Sequence, residues 1–499
     1  MPSSRSRHRW RQGLLLTLMF LMVLLLVSSG PLIAQTGNQS DVTGPNPVET
    51  VPGSGNDPVE RIDRAAYETF FTSTDAATAI ALVEEFHAWE FCNQLQLERC
   101  GRVPSLAEMT QTLADTWAQT GRRPALVYFV ALEDQLQSLV LMPSRPTISA
   151  QAPKQTTPPL SPIVLRHSNP DLPRELILSQ GRQFRRQLNL PGSQRYRTPA
   201  EQLYNELMAP LATELAQAKV DVLVIVPDQG MRLLPFSALH DGNRFLIEQY
   251  AVSLMPSFGL SDLQVADVRN TPILAMGAAQ FADQPSLPAV PTELAQVVRA
   301  PWQGEVLFEQ AFTVANLRDR LASGQFGVVH LATHGIFRGG DLANSYIQFS
   351  DRRLTLLAWR DLVSQLNWQS ASQAQLELWV LSACETAVGS TAAELGFAGL
   401  AVQLSAKSAL ASFWQVSDAG TLALMSEFYR QLSTVPFKAE ALQRAQLALL
   451  RGAAQIQNNQ LQLSDGQSVP VADTVSQQAN LRFSHPYYWS GFTNIGSWN

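Results

Sequence analysis

Short segments that are apolar on both faces constrain this chain more than any other feature of its sequence. The first, VDVLVIV at residues 220–226, follows an amphipathic helical pattern, and strand and helix patterns then alternate along the chain. Strands of this kind lie inside parallel sheets that helices cover on both sides. The alternation therefore predicts an α/β fold with a mostly parallel central sheet flanked by helices. The last long helix is predicted at residues 439–455, followed by a polar loop.

Two of the predicted strands end at reactive side chains. VVHLATHG, residues 328–335, ends at His334, and LELWVLSACETAVG, residues 376–389, reaches Cys384 where its apolar run stops. Functional residues of such sheets lie beyond the carboxyl ends of the strands. A helix N-terminus or a nearby imidazolium lowers the pKa of a thiol, so the two residues fit a nucleophile and its base. A core cysteine is the alternative, because cysteine is among the residues most often buried.

The sequence predicts neither a metal nor a cofactor. His330 and His334 are four residues apart, but four strand residues span about 13 Å, too far for one ion to bridge. We therefore expect His330 to be a hydrogen-bonded core histidine. The sequence also contains no HExxH, Walker A, G-x-S-x-G or G-x-G-x-x-G motif. With a net charge of −6 and no internal run of Lys or Arg, nucleic acid is not an expected partner.

The N-terminus has the layout of a secretory signal over residues 1–34. Several arginines precede an apolar run at residues 14–27, an SSGP breaker follows, and we expect cleavage after Ala34. The protein is then extracytoplasmic, either periplasmic or secreted. The alternative is an uncleaved anchor at residues 14–34, the one case in which we expect membrane attachment, although this run is short for a span of roughly 20 residues.

Three regions follow the signal. Residues 35–60 are rich in Gly, Pro, Ser, Asn and Thr and are predicted to be a flexible linker. Residues 61–120 show helical spacing, with Ser105 as a candidate N-cap. Residues 121–499 form the predicted α/β domain, which begins with a hairpin at residues 124–141.

The chain has three cysteines, too few for a disulfide scaffold. In an oxidising compartment Cys92 and Cys100 can pair. Two buried free thiols would give the same spacing, so both interpretations stay open.

Several motifs together resemble the CHAT domain, a family of the caspase-like cysteine peptidases alongside separases and gingipains. They are VVHLATHG, LSACETAVG, GLAVQLSAKSALASFWQVSD and HPYYWSGFTNIG, in the order of the family. VLVIVPDQGMRLLPFSALHDG and FADQPSLPAVPTELAQV, at residues 222–242 and 281–297, also look like it. The similarity covers residues 195–499. It implies a caspase-like α/β sandwich preceded by a short helical region.

The resemblance also implies roles for individual residues. His334 matches the base of the family and Cys384 its nucleophile. The thiolate would attack a peptide carbonyl of a protein or peptide substrate, and the imidazole would protonate the leaving amine. The backbone N–H groups of Gly335 and Cys384 are the expected oxyanion donors. No third orienting residue is evident in the sequence.

In caspase-like peptidases the last strand and its loop help to form the specificity pocket. The resemblance therefore makes Trp414, Asp418 and Glu385 candidate residues of this pocket. Asp418 could select a basic residue before the scissile bond, or it could only cap the helix at Thr421. Glu385 could supply charge near the thiol or cap a helix.

The chain departs from the family pattern in three places. Ile336 stands where the family usually has Glu, and Gln415 replaces a Pro. The usual upstream repeat array is missing or reduced to the helices of residues 61–120. These departures support an alternative function, a catalytically silent interaction or scaffold module in a signalling or stress pathway.

Overall fold

The computed structural model describes residues 64–499 apart from 96, 98–101, 145–160, 338–343, 367–375, 383–384, 387–393, 395–396, 398, 436 and 479–482. The predicted signal, anchor and linker therefore lie outside the described residues, as do Cys100 and Cys384. Residues from Ile62 to Asn499 form one compact unit. Within the described residues, no helix combines the length and the apolar character that crossing a bilayer requires.

The helices are α1 Arg64–Ser73, α2 Ala76–Leu95, α3 Leu106–Thr120, α4 Arg174–Leu188, α5 Arg197–Leu207, α6 Ala212–Gln217, α7 Val290–Val297, α8 Val314–Ala322, α9 Leu356–Gln365, α10 Leu400–Gln403, α11 Asp418–Leu432, α12 Lys438–Leu450, α13 Asp473–Gln478 and α14 Pro486–Trp489. The strands are β1 Pro124–Ala131, β2 Leu136–Pro143, β3 Pro162–Asn169, β4 Val222–Pro227, β5 Ala251–Leu254, β6 Ile273–Gly277, β7 Gly304–Phe308, β8 Val328–Ala332, β9 Gly335–Phe337, β10 Tyr346–Gln348, β11 Arg353–Thr355, β12 Leu376–Ser382, β13 Glu385–Thr386, β14 Ala406–Ser412, β15 Gln455–Gln457, β16 Gln460–Gln462, β17 Ser468–Pro470 and β18 Phe492–Gly496.

An 11-stranded sheet runs through the protein in the order β3-β2-β1-β4-β5-β18-β14-β12-β8-β6-β7. The sheet contains two parallel blocks. In one, β14, β12, β8, β6 and β7 are parallel to one another. In the other, β1, β4, β5 and β18 are parallel to one another. The two blocks meet at the antiparallel pair of β14 and β18, so they run in opposite directions. The predicted α/β fold with a mostly parallel central sheet is confirmed.

Both faces of the sheet are covered, as its fully apolar strands require. Alternate residues of β1 show this: Val127 and Phe129 belong to one buried apolar cluster, while Leu126 and Tyr128 belong to another on the opposite face. The second cluster includes Phe71 and Val83 of the N-terminal helices. Side chains alternate across a strand, so a strand between two layers must be apolar at every position.

The local predictions in the N-terminal half are confirmed. The hairpin of β1 and β2 is antiparallel. Ser105 caps α3 in a capping box: its hydroxyl accepts from the Glu108 backbone N–H, and the Glu108 carboxylate accepts from the Ser105 N–H. These features depend on residues close in sequence, which explains why the sequence alone indicates them.

The C-terminal part differs from the prediction in two respects. The helix predicted at residues 439–455 ends at Leu450 instead, and the segment predicted as a polar loop contains a three-stranded sheet of β15, β16 and β17. Gly452 explains the early end, because its φ of 70° is a left-handed conformation that terminates a helix.

Gly277, the last residue of β6, allows β6 to approach β8. A Cβ at this position would lie 2.5 Å from the carbonyl oxygen of Ala332, its partner in β8.

We expect Gly277→Ala to lower the free energy of unfolding by about 1–3 kcal/mol, because the strands would have to separate. Gly181→Ala is the matched control: it lies within α4, where the new Cβ would be 3.6 Å from Leu234, and alanine favours a helix interior by about 1 kcal/mol. Urea unfolding of both variants measures the difference; equal stability of the two would contradict the expectation.

Candidate active site

Four neighbouring parallel strands end at one edge of the sheet. They are β14, β12, β8 and β6, in this spatial order. Their following segments carry the predicted site residues: Asp418 comes after β14, Cys384 after β12 and His334 after β8. The segment after β6 runs from residue 278 to α7. The fold therefore gathers these four segments at one edge, with the His334 segment between those that follow β12 and β6.

His334 is partly buried and held by its neighbours on the β6 side. Its Nε2 lies 2.8 Å from the carbonyl oxygen of Pro285, and its ring packs edge-to-face with Phe281 at 4.9 Å between centroids. A carbonyl oxygen only accepts, so Nε2 must be the donor. In the neutral ring the lone pair is then on Nδ1, which makes Nδ1 the nitrogen that can take up a proton.

The chain on both sides of position 384 is paired with the chain around His334. Before it, Ser382 of β12 is the register partner of Ala332 in β8. After it, Glu385 of β13 is the parallel partner of Ile336 in β9. Paired strands lie about 4.8 Å apart. The backbones that lead to and from Cys384 thus run beside those that lead to and from His334, although Cys384 itself lies outside the described residues.

Gly335 begins β9, directly after His334, and is paired with Ile347 of β10. The main chain of His334 is held as well, because its carbonyl oxygen accepts a hydrogen bond of 2.9 Å from the Gln348 N–H. The small sheet of β9, β10, β11 and β13 therefore fixes the backbone on which an oxyanion donor at Gly335 would depend.

Asp418 is the first residue of α11 but does not cap it. Ser417 is the N-cap, and its hydroxyl accepts from the Gly420 N–H. The Asp418 carboxylate instead accepts a hydrogen bond of 2.8 Å from the Ala289 N–H at the start of α7. Burial raises the pKa of Asp418 to about 7. The hydrogen bond from Ala289 lowers this pKa, and the negative charge of Glu293 raises it further.

Trp414 is buried, and its indole N–H donates to the carbonyl oxygen of Tyr487 at 3.2 Å. The Tyr487 hydroxyl in turn donates to the carbonyl oxygen of Gln415 at 3.0 Å. These bonds fasten the segment after β14 to α14, so Trp414 anchors this segment from inside the protein. The Glu385 backbone is part of β13, and its side chain lies outside the described residues.

Two features in the segments that follow β6 and β12 had no recognisable signal in the sequence. The Pro285 carbonyl, which orients His334, is a backbone group that any residue carries, although its segment was among the motifs that resemble the CHAT domain. Glu394, ten residues after Cys384, is buried and accepts a hydrogen bond of 2.5 Å from the Gly230 N–H. Burial raises the pKa of Glu394, and Arg232 opposes this increase.

Cys92 is disulfide-bonded. Because Cys100 lies outside the described residues, its pairing with Cys92 stays a prediction. His330 is fully buried and hydrogen-bonded through both ring nitrogens, as expected for a core histidine. Within the described part of the chain, no group of three or more His, Cys, Asp or Glu residues is arranged to hold a metal ion.

Comparison with known proteins gives one result. The family model of the CHAT domain matches residues 197–497, which is more than half of the chain. A search of curated protein sequences finds no match. The family match agrees with the sheet, with the order of the motifs and with the edge at which their segments meet. The chain therefore belongs to the CHAT domain family, which places its fold within the caspase-like cysteine peptidase superfamily.

Proposed function

We propose that this protein is a cysteine endopeptidase in which Cys384 is the nucleophile and His334 the base. The observation that carries the proposal is the double pairing around the two positions, Ser382 with Ala332 before them and Glu385 with Ile336 after them. Between the two pairs lie residues 383–384 on the β12 side and residues 333–335 on the β8 side. Cys384 and His334 are among these five residues. A thiol and an imidazole that follow two paired strands are the combination that an activated nucleophile and its base require.

The chemistry follows from the orientation of His334. Nδ1 takes the proton of the Cys384 thiol, and the thiolate attacks the carbonyl carbon of the scissile peptide bond. The N–H groups of Gly335 and Cys384 stabilise the oxyanion that forms. The imidazolium then protonates the leaving amine as the C–N bond breaks, and water hydrolyses the thioester. Throughout, the Pro285 carbonyl accepts from Nε2–H, which keeps the ring in place and stabilises its charged form.

Asp418 is our proposed determinant of specificity for a basic residue before the scissile bond. It follows β14 at the same edge of the sheet and is partly buried. No described basic side chain forms an ion pair or a hydrogen bond with its carboxylate, whose described hydrogen-bond donor is the Ala289 N–H. A guanidinium or ammonium group of a substrate would compensate the cost of ionising it.

We also propose that the protein is exported, with removal of residues 1–34. The disulfide at Cys92 supports an oxidising compartment, since structural disulfides are rare in the cytosol.

The dyad is tested by labelling the protein with a peptidyl probe that alkylates active-site thiols. Cys384→Ala should abolish labelling, and His334→Ala should slow it by roughly 100-fold or more, because acid–base catalysis contributes 10²–10⁴-fold. His167→Ala is the control, because His167 lies on β3 at the opposite end of the sheet. Equal labelling of Cys384→Ala and wild type would contradict the dyad and favour the silent scaffold module.

The proposed role of Asp418 predicts a pH-dependent specificity. Since burial raises the pKa of Asp418 from 3.8 to about 7, the side chain is neutral in acid and becomes negative as the pH rises through about 7. The ratio of kcat/KM for an Arg substrate to that for a Met substrate should rise across this range, while effects of the dyad cancel in the ratio. In Asp418→Asn the ratio should be low and flat with pH. A ratio unaffected by the substitution would exclude Asp418 from the specificity pocket.

Export and pairing of Cys92 with Cys100 predict one covalent product. Non-reducing peptide mapping of the protein from its native cell should yield a cross-linked Cys92–Cys100 peptide, a free Cys384 thiol and an N-terminus at Gln35. Reduction should separate the two peptides. A mature chain that still begins at Met1, or a disulfide that includes Cys384, would contradict this prediction.

A further inference from the structure

A buried glutamate connects the two strands that lead to the proposed dyad. Glu293 of α7 is 2% exposed, and its Oε1 accepts a hydrogen bond from the Ser382 hydroxyl at the end of β12. The same oxygen lies 3.0 Å from Nε2 of His330 in β8. On its other side His330 has Nδ1 3.1 Å from the hydroxyl of Tyr429 in α11. One carboxylate oxygen therefore joins a helix to both strands.

This cluster lies in the two strands that lead to the dyad positions. Ser382 is the last residue of β12, two positions before Cys384, and His330 belongs to β8, four positions before His334. Two strand residues span about 7 Å. A displacement of either strand at the cluster would therefore be passed to the neighbouring dyad residue.

Helix α7 also reaches His334 by a second route. Glu293 lies one turn after Ala289, whose N–H is bound by Asp418, and Pro285 precedes Ala289 by four residues. Pro285 provides the carbonyl that accepts from His334. The position of α7 therefore influences the orientation of the imidazole as well as the separation of the strands.

A buried carboxylate is costly unless its hydrogen bonds are satisfied. Among the residues that the structure describes, the charged or titratable groups that face Glu293 are His330 of β8 and Asp418 and Tyr429 of α11, with the Ser382 hydroxyl from β12. None of them is the Arg or Lys that usually compensates a buried acid. A group maintained at such a cost beneath the dyad points to a role beyond packing.

We propose that Glu293 is a positioning residue, which sets the distance between His334 and Cys384 and the orientation of the imidazole. This inference rests on the proposed function in that the two residues it aligns are the proposed dyad. It concerns a different group and has a readout that does not require peptide cleavage.

The test is the rate at which iodoacetamide alkylates Cys384, followed by mass spectrometry of the peptide that contains it, from pH 5 to 10. Glu293→Ala should slow alkylation at pH 7 by about 100-fold, the loss that a displacement near 1 Å can cause. It should also raise the apparent pKa of the Cys384 thiol toward the value of a free cysteine, about 8.5. Glu293→Gln keeps the shape of the side chain and an acceptor oxygen, so its alkylation rate should fall by about tenfold or less.

Glu427→Gln and Glu427→Ala are the matched controls. Glu427 is also fully buried, but it contacts Arg430 and Ser464, away from the dyad strands. These variants should lower the melting temperature and leave the alkylation rate and its pH profile unchanged. If Glu293→Ala does not fold, Ser382→Ala provides the test by removing one hydroxyl, and its rate should fall at least tenfold.

Folded variants at Glu293 or Ser382 with the rate and pH profile of the wild type would overturn the inference. Dependence of alkylation on Glu293 in a protein that cleaves no peptide would leave the inference standing and refute the proposed function. Peptide cleavage through Cys384 that does not change in the Glu293 variants would support the proposed function and overturn the inference about Glu293.

Discussion

The parallel pairing of β8 with β12 is the constraint on which the rest of the site depends. β8 is buried along its length and β12 at every residue except Glu377, so neither can slide without exposing apolar side chains or breaking register. The pairing resumes beyond the strand ends, where β9 runs parallel to β13. The two pairings bring together the segments that precede and follow His334 and Cys384 in the sequence.

Buried carboxylates specify how helices are placed on this sheet. Glu84 of α2 accepts from the Tyr128 hydroxyl at 2.7 Å, the Ser257 hydroxyl at 2.6 Å and the Phe258 N–H at 3.0 Å. Glu293 fixes α7 in the other half of the sheet through Ser382 and His330. An apolar contact tolerates sliding, whereas a hydrogen bond inside a low-dielectric core has one good geometry and a large cost when broken. The apolar layers thus stabilise the fold, and the two acids fix where α2 and α7 lie on the sheet.

The features that the sequence predicted are those that depend on neighbouring residues. β8 and β12 were recognisable because their apolar runs end at His334 and Cys384, and α3 because Ser105 begins a capping box. The place of β18 between β5 and β14 depends on pairing with residues far away in sequence, so no local pattern indicates it. The Asp418 contact was missed for a similar reason. Ser417 is one position earlier and takes the cap, which leaves the Asp418 carboxylate to bind Ala289, a residue 129 positions away.

The loop after β4 connects the N-terminal helices to the segment that follows Cys384. Asp228 is buried there, and burial raises its pKa. The charge of Arg64 in α1 and the hydrogen bonds that it donates to Asp228 outweigh this effect and hold the pKa well below its usual range. Nε2 of His87 in α2 lies 3.8 Å from the same carboxylate. Two residues further on, the Gly230 N–H donates to Glu394. Truncating Arg64 alone would leave the buried Asp228 without its ion-pair partner, a loss that typically costs about 3–5 kcal/mol. The loop that binds Glu394 is therefore bound to α1 as well, through the ion pair of Asp228 with Arg64.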